Sequence, residues 1–343
     1  MNILKQNFRR NAGLVGAALL AAACGGGGGD SGSTAVVVPT AVRAVAASAS
    51  SDLTLANAGS FAGVLARTVM GAADGGVSVL ASSRESPMAR LSGHRGSTLR
   101  MAANAAARGA AGSGREAAQG ITVETVACGL SGSFVVTVND ADDNQRLSRG
   151  DSASFVFTNC TFDAFTPAVN GSLSFVVNAV ELDSQQEPAA LDATITLTGF
   201  AEAGFGTLSG SFRIWYRDES LTSTRQRISY IDTAVTEQGQ ALVYNFDIYG
   251  VAGATTATFD LNGALTVAGT TYSMVTTTAF SQNGVALPDA GVVELRDAAG
   301  DRVILRALNG GTNFDLEFQA AGAATPTVVQ SGLFWSFYRL NAN

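Results

Sequence analysis

Phe212-Arg213-Ile214-Trp215-Tyr216-Arg217 decides how this chain is read. Large apolar side chains at 212, 214 and 216 alternate with Arg213, Trp215 and Arg217. A period of two puts alternate residues on opposite faces of a strand, so one face is apolar and the other polar. The pattern continues on both sides. Ile195 and Leu197 alternate with Thr194, Thr196 and Thr198; Tyr244, Phe246 and Ile248 with Asn245, Asp247 and Tyr249; Phe314, Leu316 and Phe318 with Asp315, Glu317 and Gln319. From Ile121 onward, Gly, Asn and Asp separate one run from the next. The connections are short and carry no crossover helix, which predicts antiparallel meander pairing over 121–343.

A short repeat runs through the same region. Leu130-Ser131-Gly132-Ser133-Phe134 recurs as Val169-Asn170-Gly171-Ser172-Leu173, Leu208-Ser209-Gly210-Ser211-Phe212 and Leu261-Asn262-Gly263-Ala264-Leu265, with an echo at Leu308-Asn309-Gly310. Each copy enters a strand, where glycine suits a tight turn or a bulge. Twelve or more strands ordinarily curl, close or split into two layers. The expected fold is mainly β: a large antiparallel meander sheet curled into a partly closed barrel, with a two-layer β-sandwich as the alternative. A lipid-spanning barrel fits poorly, because Thr, Asn and Arg occupy positions that would face lipid. Leu333–Leu340 reads as the last strand.

The first third is different. Asp30–Gly120 is rich in Ala, Gly and Ser, with Phe61 almost alone among aromatic residues. Phe61–Met70 and Ser97–Gln119 have helical composition, so 61–120 reads as a small Ala-rich segment with one or two short helices, or partly disordered. Residues 24–60 read as a tether, within which Ala35–Val38 could pair as a short strand.

Residues 1–23 have the composition of an export signal: Lys5, Arg9 and Arg10 precede an apolar stretch too short to span a bilayer, which ends in small residues before Cys24. Ala21-Ala22-Ala23-Cys24 resembles the lipobox of bacterial lipoproteins, although that family prefers Leu where this chain has Ala21. The resemblance implies cleavage before Cys24, acylation of Cys24, and anchoring through lipid. Gly25 stands where inner-membrane retention places Asp, which implies the outer membrane, facing the periplasm. Gly25–Gly29 would supply slack between lipid and fold. With Cys24 and its Gly run, the module Cys128…Asp140-x-Asp142…Gly150-Asp151…Cys160…Asn170-Gly171 and the closing Trp335 strand, the chain is similar to β-rich lipoproteins of Gram-negative bacteria that have no assigned activity.

Removing Lys5, Arg9 and Arg10 with the leader takes the net charge from −7 to −10 and leaves no lysine. No basic patch interleaved with aromatic residues is present, which argues against nucleic acid as a partner.

Asp140-Ala141-Asp142-Asp143-Asn144-Gln145-Arg146-Leu147-Ser148-Arg149-Gly150-Asp151 resembles the twelve-residue calcium loop of EF-hand and dockerin-type proteins. That resemblance implies oxygen ligands from Asp140, Asp142, Asn144, the Arg146 carbonyl, Ser148 and Asp151, with Leu147 as apolar anchor and Ca2+ as the ion. Gln145 replaces the usual glycine, and Asp151 is shorter than the usual Glu. The flanks read as strands rather than helices, and the plain alternative is an Asx-rich turn. Cys128 and Cys160 bracket the loop, with their midpoint at residue 144. Folding it as a hairpin brings them opposite or nearly opposite one another at a separation that suits a disulfide, with two buried thiols as the alternative.

No catalytic constellation stands out. His94 is the single histidine and no Gly-x-Ser-x-Gly elbow is present. A carboxylate pair would need Asp218, Glu219, Asp247 and Asp260 to face one groove. Arg213, Trp215 and Arg217 form a candidate surface contact for an envelope protein or glycan. The expected function is a non-enzymatic, lipid-anchored envelope protein with a structural or interaction role. The alternative is a periplasmic carrier holding a hydrophobic ligand in a curled sheet, which would need a continuous apolar cavity.

Overall fold

Among the described residues, fourteen strands, all antiparallel, follow one another in chain order across one sheet. The computed structural model describes residues 36–41, 46–49, 52–78, 121–143, 147–161, 168–184, 188–202, 206–220, 223–237, 240–253, 255–283, 287–308 and 310–340. The strands are β1 (Ile121–Ala127), β2 (Ser131–Asn139), β3 (Ser152–Thr161), β4 (Val169–Leu182), β5 (Pro188–Glu202), β6 (Gly206–Ser220) and β7 (Ser223–Glu237), followed by β8 (Gln240–Ala252), β9 (Thr256–Val267), β10 (Thr270–Asn283), β11 (Ala290–Arg296), β12 (Arg302–Ala307), β13 (Asn313–Gln319) and β14 (Thr327–Phe334). Before them come α1 (Leu55–Ala58), a 3-10 turn (Gly59–Phe61) and α2 (Ala62–Ser78); α3 (Trp335–Leu340) follows them.

This arrangement corrects the expected architecture. β1 pairs with β2 and β14 with β13, and the strand order does not return from β14 to β1. The fold is therefore neither the curled, partly closed barrel nor the two-layer sandwich, but a single open sheet. The physical reason lies in α2. A wide sheet must cover its apolar face, and over β7–β9 and β12 a helix of the same chain covers it instead of a second layer of strands. Leu65, Ala66, Val69 and Met70 are buried in the same cluster as Phe246, Leu261, Leu305 and Leu316. The helix lies against β7, β8, β9, β12 and α3. Its small residues, Ala62, Ala66, Ala72 and Ala73, are all buried and bring its backbone close to the strands. Each of Leu65, Val69 and Met70 contributes about 1.5–3 kcal/mol by leaving water. A capping box starts α1: Thr54 Oγ1 accepts from the Asn57 N–H at 3.3 Å, and Asn57 Oδ1 accepts from the Thr54 N–H at 2.8 Å. The end of the chain also differs from expectation. β14 stops at Phe334, and Leu333–Leu340 is not one strand, because Trp335 turns into α3 and buries its ring against Phe314.

The repeat marks a recurring distortion of the sheet. Gly132, Gly171, Gly210 and Gly263 all have positive φ. At Gly171, a Cβ would stand 2.2 Å from the Gly199 carbonyl oxygen, so only glycine lets β4 and β5 approach this closely. Ladder register shifts beside Gly132, Gly171 and Gly210, as bulges require. In three of the four copies the residue preceding the repeat glycine accepts from a backbone N–H in the neighbouring strand. Asn170 Oδ1 accepts from the Asn159 N–H at 2.8 Å, Ser209 Oγ from the Gly199 N–H at 2.9 Å, and Asn262 Oδ1 from the Thr276 N–H at 3.3 Å. The Asn/Ser-Gly pair is thus one device: a side chain that caps the bulge and a residue without one that admits it.

The opposite, polar face is partly covered too. Residues read as tether lie on it. Val36 is buried with Ala190 and Trp215, and Ala179 and Tyr249 pack against them. Its N–H donates to Glu181 Oε1 at 2.8 Å and its carbonyl accepts from Arg217 Nη2 at 2.5 Å. Arg227 donates to the Pro39 carbonyl and lies over the Tyr249 ring. Further on, the Ser48 N–H donates to the Thr271 carbonyl and the Leu53 N–H to Asp297 Oδ2, both at 2.9 Å. Residues 36–41 thus lie on the polar face over β4–β8, Ser48 bonds to β10, and Leu53 is already buried in the main core.

Candidate metal centre

The connection between β2 and β3 folds around one buried carboxylate. Asp151 is 3 % exposed. Its Oδ1 accepts from the Ala141 N–H at 2.9 Å and from Ser148 Oγ at 3.2 Å, and its Oδ2 accepts from the Ser148 N–H at 2.7 Å. The Gly150 N–H donates to the Val177 carbonyl, and the Val177 N–H donates to the Asp151 carbonyl, each at 2.9 Å, so β4 holds the loop in place. Leu147 is buried in the main core, as its place in the pattern predicts. Asp143 turns the chain with φ of 54°, a conformation that aspartate tolerates better than most residues.

Asp140, Asp142 and Asp151 each aim a carboxylate oxygen into one space, all within 4.8 Å of one another. Asp140 is half-buried, Asp142 exposed and Asp151 buried. Three hard oxygen donors this close can chelate a divalent cation such as Ca2+. Each carboxylate oxygen has two lone pairs, so Asp151 Oδ2 keeps one for an ion while bracing the loop. Burial pushes the Asp151 carboxyl above its ordinary value, and the neighbouring charge of Asp140 adds to this, while the hydrogen bonds from Ala141 and Ser148 oppose it. A cation would relieve both the desolvation and the repulsion. Ser148 faces Asp151 rather than open space. Asn144 and Arg146 lie outside the described residues, as do Cys24 and His94.

A disulfide closes the far end of the hairpin. Cys128 and Cys160 are bonded, with Cα atoms 5.5 Å apart. The two are nearly opposite without being partners in one ladder. Cys128 follows β1 and Cys160 lies in β3, with β2 between them. The bulge at Gly132, where a Cβ would stand 2.1 Å from the Asn159 carbonyl oxygen, draws the two strand ends together.

The remaining candidates separate. Trp215 is 1 % exposed beneath Val36. Arg213 Nε donates to Asp192 Oδ1 at 2.7 Å, and Arg217 pairs with Glu181 at 2.6 Å. These three residues meet Val36 and strand acids. Asp218 accepts from Thr224 Oγ1 at 2.7 Å, Glu219 pairs with Arg225, and Asp247 accepts from Ser229. Strand alternation puts Asp218 and Glu219 on opposite faces, so the four carboxylates do not share a groove.

Sequence reading missed a charge lattice on β11–β13. Ile304 points to the polar face yet is buried, with Arg302 and Arg306 two residues away on its own strand and Glu294 and Glu317 opposite on the neighbouring strands. Arg296 and Arg302 pair with Glu294, and Arg306 with Glu317. The aliphatic stems cover the isoleucine while the heads stay paired. The cross-strand register needed to see this is absent from any one strand's pattern. Comparison with protein-family models, with curated proteins and with solved structures finds no match to this chain.

Proposed function

We propose that this protein is a non-enzymatic lipoprotein of the bacterial envelope, anchored in the outer membrane through acylated Cys24 and facing the periplasm, where its sheet serves a structural or interaction role. One observation carries the choice against a carrier. The apolar side of β7–β9 and β12 is occupied by α2, whose buried Leu65, Val69 and Met70 take the place a hydrophobic ligand there would need. Support for the compartment comes from the Cys128–Cys160 disulfide, since such bonds persist in oxidising surroundings, and from the Lys5–Cys24 leader. The Asp140–Asp142–Asp151 centre fits a role in fastening: a cation there would tie the β2–β3 connection, already pinned to β4, without exposing any new surface. An envelope protein or glycan is the partner class this reading implies.

Fractionation of cells expressing the full chain tests the reading, with intact mass of the extracted protein. A mature chain that begins at Cys24, carries acyl chains and sediments with outer membrane supports it. A Cys24→Ser chain should be released from that fraction. A wild-type chain that is soluble and unacylated overturns the anchor.

A further inference from the structure

We propose that β1 is the interface through which two copies of this chain pair, strand against strand about a two-fold axis, so that their sheets join into one. The inference rests on the sheet alone and is independent of the lipid anchor. An open sheet ends in two strands whose outward N–H and C=O groups have no ladder partner, and such edges recruit other strands unless they are guarded. The two ends of this sheet are guarded unequally. β14 pairs with β13 through a ladder that shifts register on both sides of Leu316. Pro326 directly precedes β14, and α3 begins where it stops. Bulges and a flanking proline of this kind turn an edge away from an incoming strand. β1 has neither. Its seven residues pair with β2 without a shift, from Ile121 opposite Asn139 to Ala127 opposite Ser133. It holds no proline, lysine or glycine, and among the described residues no strand lies on its outer side. Ile121 and Val123 are 52 % and 63 % exposed there.

The occupant follows from the same comparison. A head-to-tail contact would need β14 of the next copy and would run on as a filament, but the shifted ladder of β14 offers no regular edge for it. β1 against β1 is antiparallel, as β1 is to β2, and closes after two copies. Glu124 then selects the register. It is the only charge on the strand and stands opposite Val136, a core residue, so it belongs to the apolar side. Centring the pair on Glu124 would set two carboxylates directly opposite one another, which is unfavourable. Centring it on Val123 sets Val123 against its own copy and Ile121 against Thr125, so both exposed apolar side chains gain a cross-strand neighbour.

The test uses the purified full chain with Cys24→Ser, so that no lipid drives association. Sedimentation across a concentration series should show a monomer–dimer equilibrium and no larger species. Val123→Lys, which sets like charges opposite one another at the axis, should weaken dimerisation at least about fivefold. Val328→Lys on β14, where the native residue is also exposed, should leave it unchanged. Val123→Cys should cross-link to its own copy on mild oxidation, because residues opposite one another in an antiparallel ladder stand at a Cα separation that suits a disulfide. Val156→Cys, at an exposed position on β3, should not. The cross-link decides the matter if Val123→Lys unfolds the protein. A chain that is monomeric at every concentration overturns the proposal, whether the edge stays bare or is taken by the chain itself. Open-ended oligomers that Val328→Lys disperses overturn it in favour of head-to-tail contact. A dimer that neither Val123→Lys weakens nor Val123→Cys cross-links overturns it by placing the interface elsewhere.

Discussion

Gly171→Ala should be among the most damaging single-methyl additions to this protein, and Gly199→Ala, across the same bulge, should be mild. Both glycines have positive φ, 96° at Gly171 and 54° at Gly199. Both substitutions therefore carry a backbone penalty, about 1 kcal/mol once the smaller freedom of alanine in the unfolded chain is credited. They differ in what the new methyl meets. At Gly199 nothing lies within 4 Å. At Gly171 the methyl would stand 2.2 Å from the Gly199 carbonyl oxygen, 2.5 Å from its carbonyl carbon and 2.7 Å from the Phe200 Cα. All three are backbone atoms, so no side chain can swing away. β4 and β5 must separate by more than about 1 Å, which costs at least one ladder hydrogen bond and loosens the packing of neighbouring core residues. The total for Gly171→Ala is about 3 kcal/mol or more, and the gap between the two variants is about 2 kcal/mol, some thirtyfold in the folding constant. Urea unfolding followed by tryptophan fluorescence measures both through midpoint and slope. A Gly171→Ala protein no less stable than Gly199→Ala would refute the close approach, and with it the reading of the repeat as a bulge device.

The other predictions concern the helix, the disulfide and the metal centre. Leu65→Ala should cost about 2–5 kcal/mol in the same assay, since Leu65 is fully buried against the sheet; a loss under 1 kcal/mol would mean that α2 is not part of the core. Replacing Cys128 and Cys160 together by Ser should cost about 3–4 kcal/mol by the loop-closure estimate for a sequence separation of 32, and a redox-insensitive melting curve would contradict the bond's contribution. Calcium at 10–100 times its dissociation constant should stabilise the protein by about 1.4–2.7 kcal/mol, and Asp142→Asn should remove much of that gain. Asp142 is the better probe, because Asp151→Ala also strips the loop of three hydrogen bonds and should destabilise it without any ion. Asp151 has a raised carboxyl pKa in the fold, so its contribution to stability is fully present below its unfolded value near 3.8 and is lost as pH rises through the folded value. Without divalent ions, Asp151→Asn should therefore flatten the stability profile in that window. With calcium the wild type should instead gain stability as pH rises through it, because protons and the cation compete for the same oxygens; an identical profile with and without calcium would remove Asp151 from the centre.

Much of this was legible in the residues themselves. Period-two alternation from Ile121 onward locates the strands because each buries one face, and the repeated Asn/Ser-Gly pairs locate the bulges because few other residues satisfy both demands. Closure was not legible. Alternation records that one face is covered, not what covers it, so a helix over an open sheet leaves the same pattern as a barrel or a sandwich. The helix itself was visible at Phe61–Met70 by composition, but its alanines offered few large side chains to bury, and their use in close packing was not visible. Val36 and Trp215 were out of reach for a similar reason: the alternation assigns Trp215 to the polar face correctly, while its cover comes from a segment 179 residues earlier in the chain. The grouping of Asp140, Asp142 and Asp151 was readable because the three are local in sequence, while the bracing of the loop by Asp151 and the turning of Ser148 toward it needed coordinates.

The central claim is that α2 fills the apolar side of β7–β9 and β12 and so leaves no room to carry a ligand there. Extraction of the purified Cys24→Ser chain with organic solvent, followed by mass spectrometry and by titration of the intact protein with an apolar fluorescent probe, tests it directly. The account predicts no stoichiometric lipid in the extract and no saturable probe site. One apolar molecule per chain, displaced by the probe in proportion, would contradict it and make α2 a movable plug in a carrier.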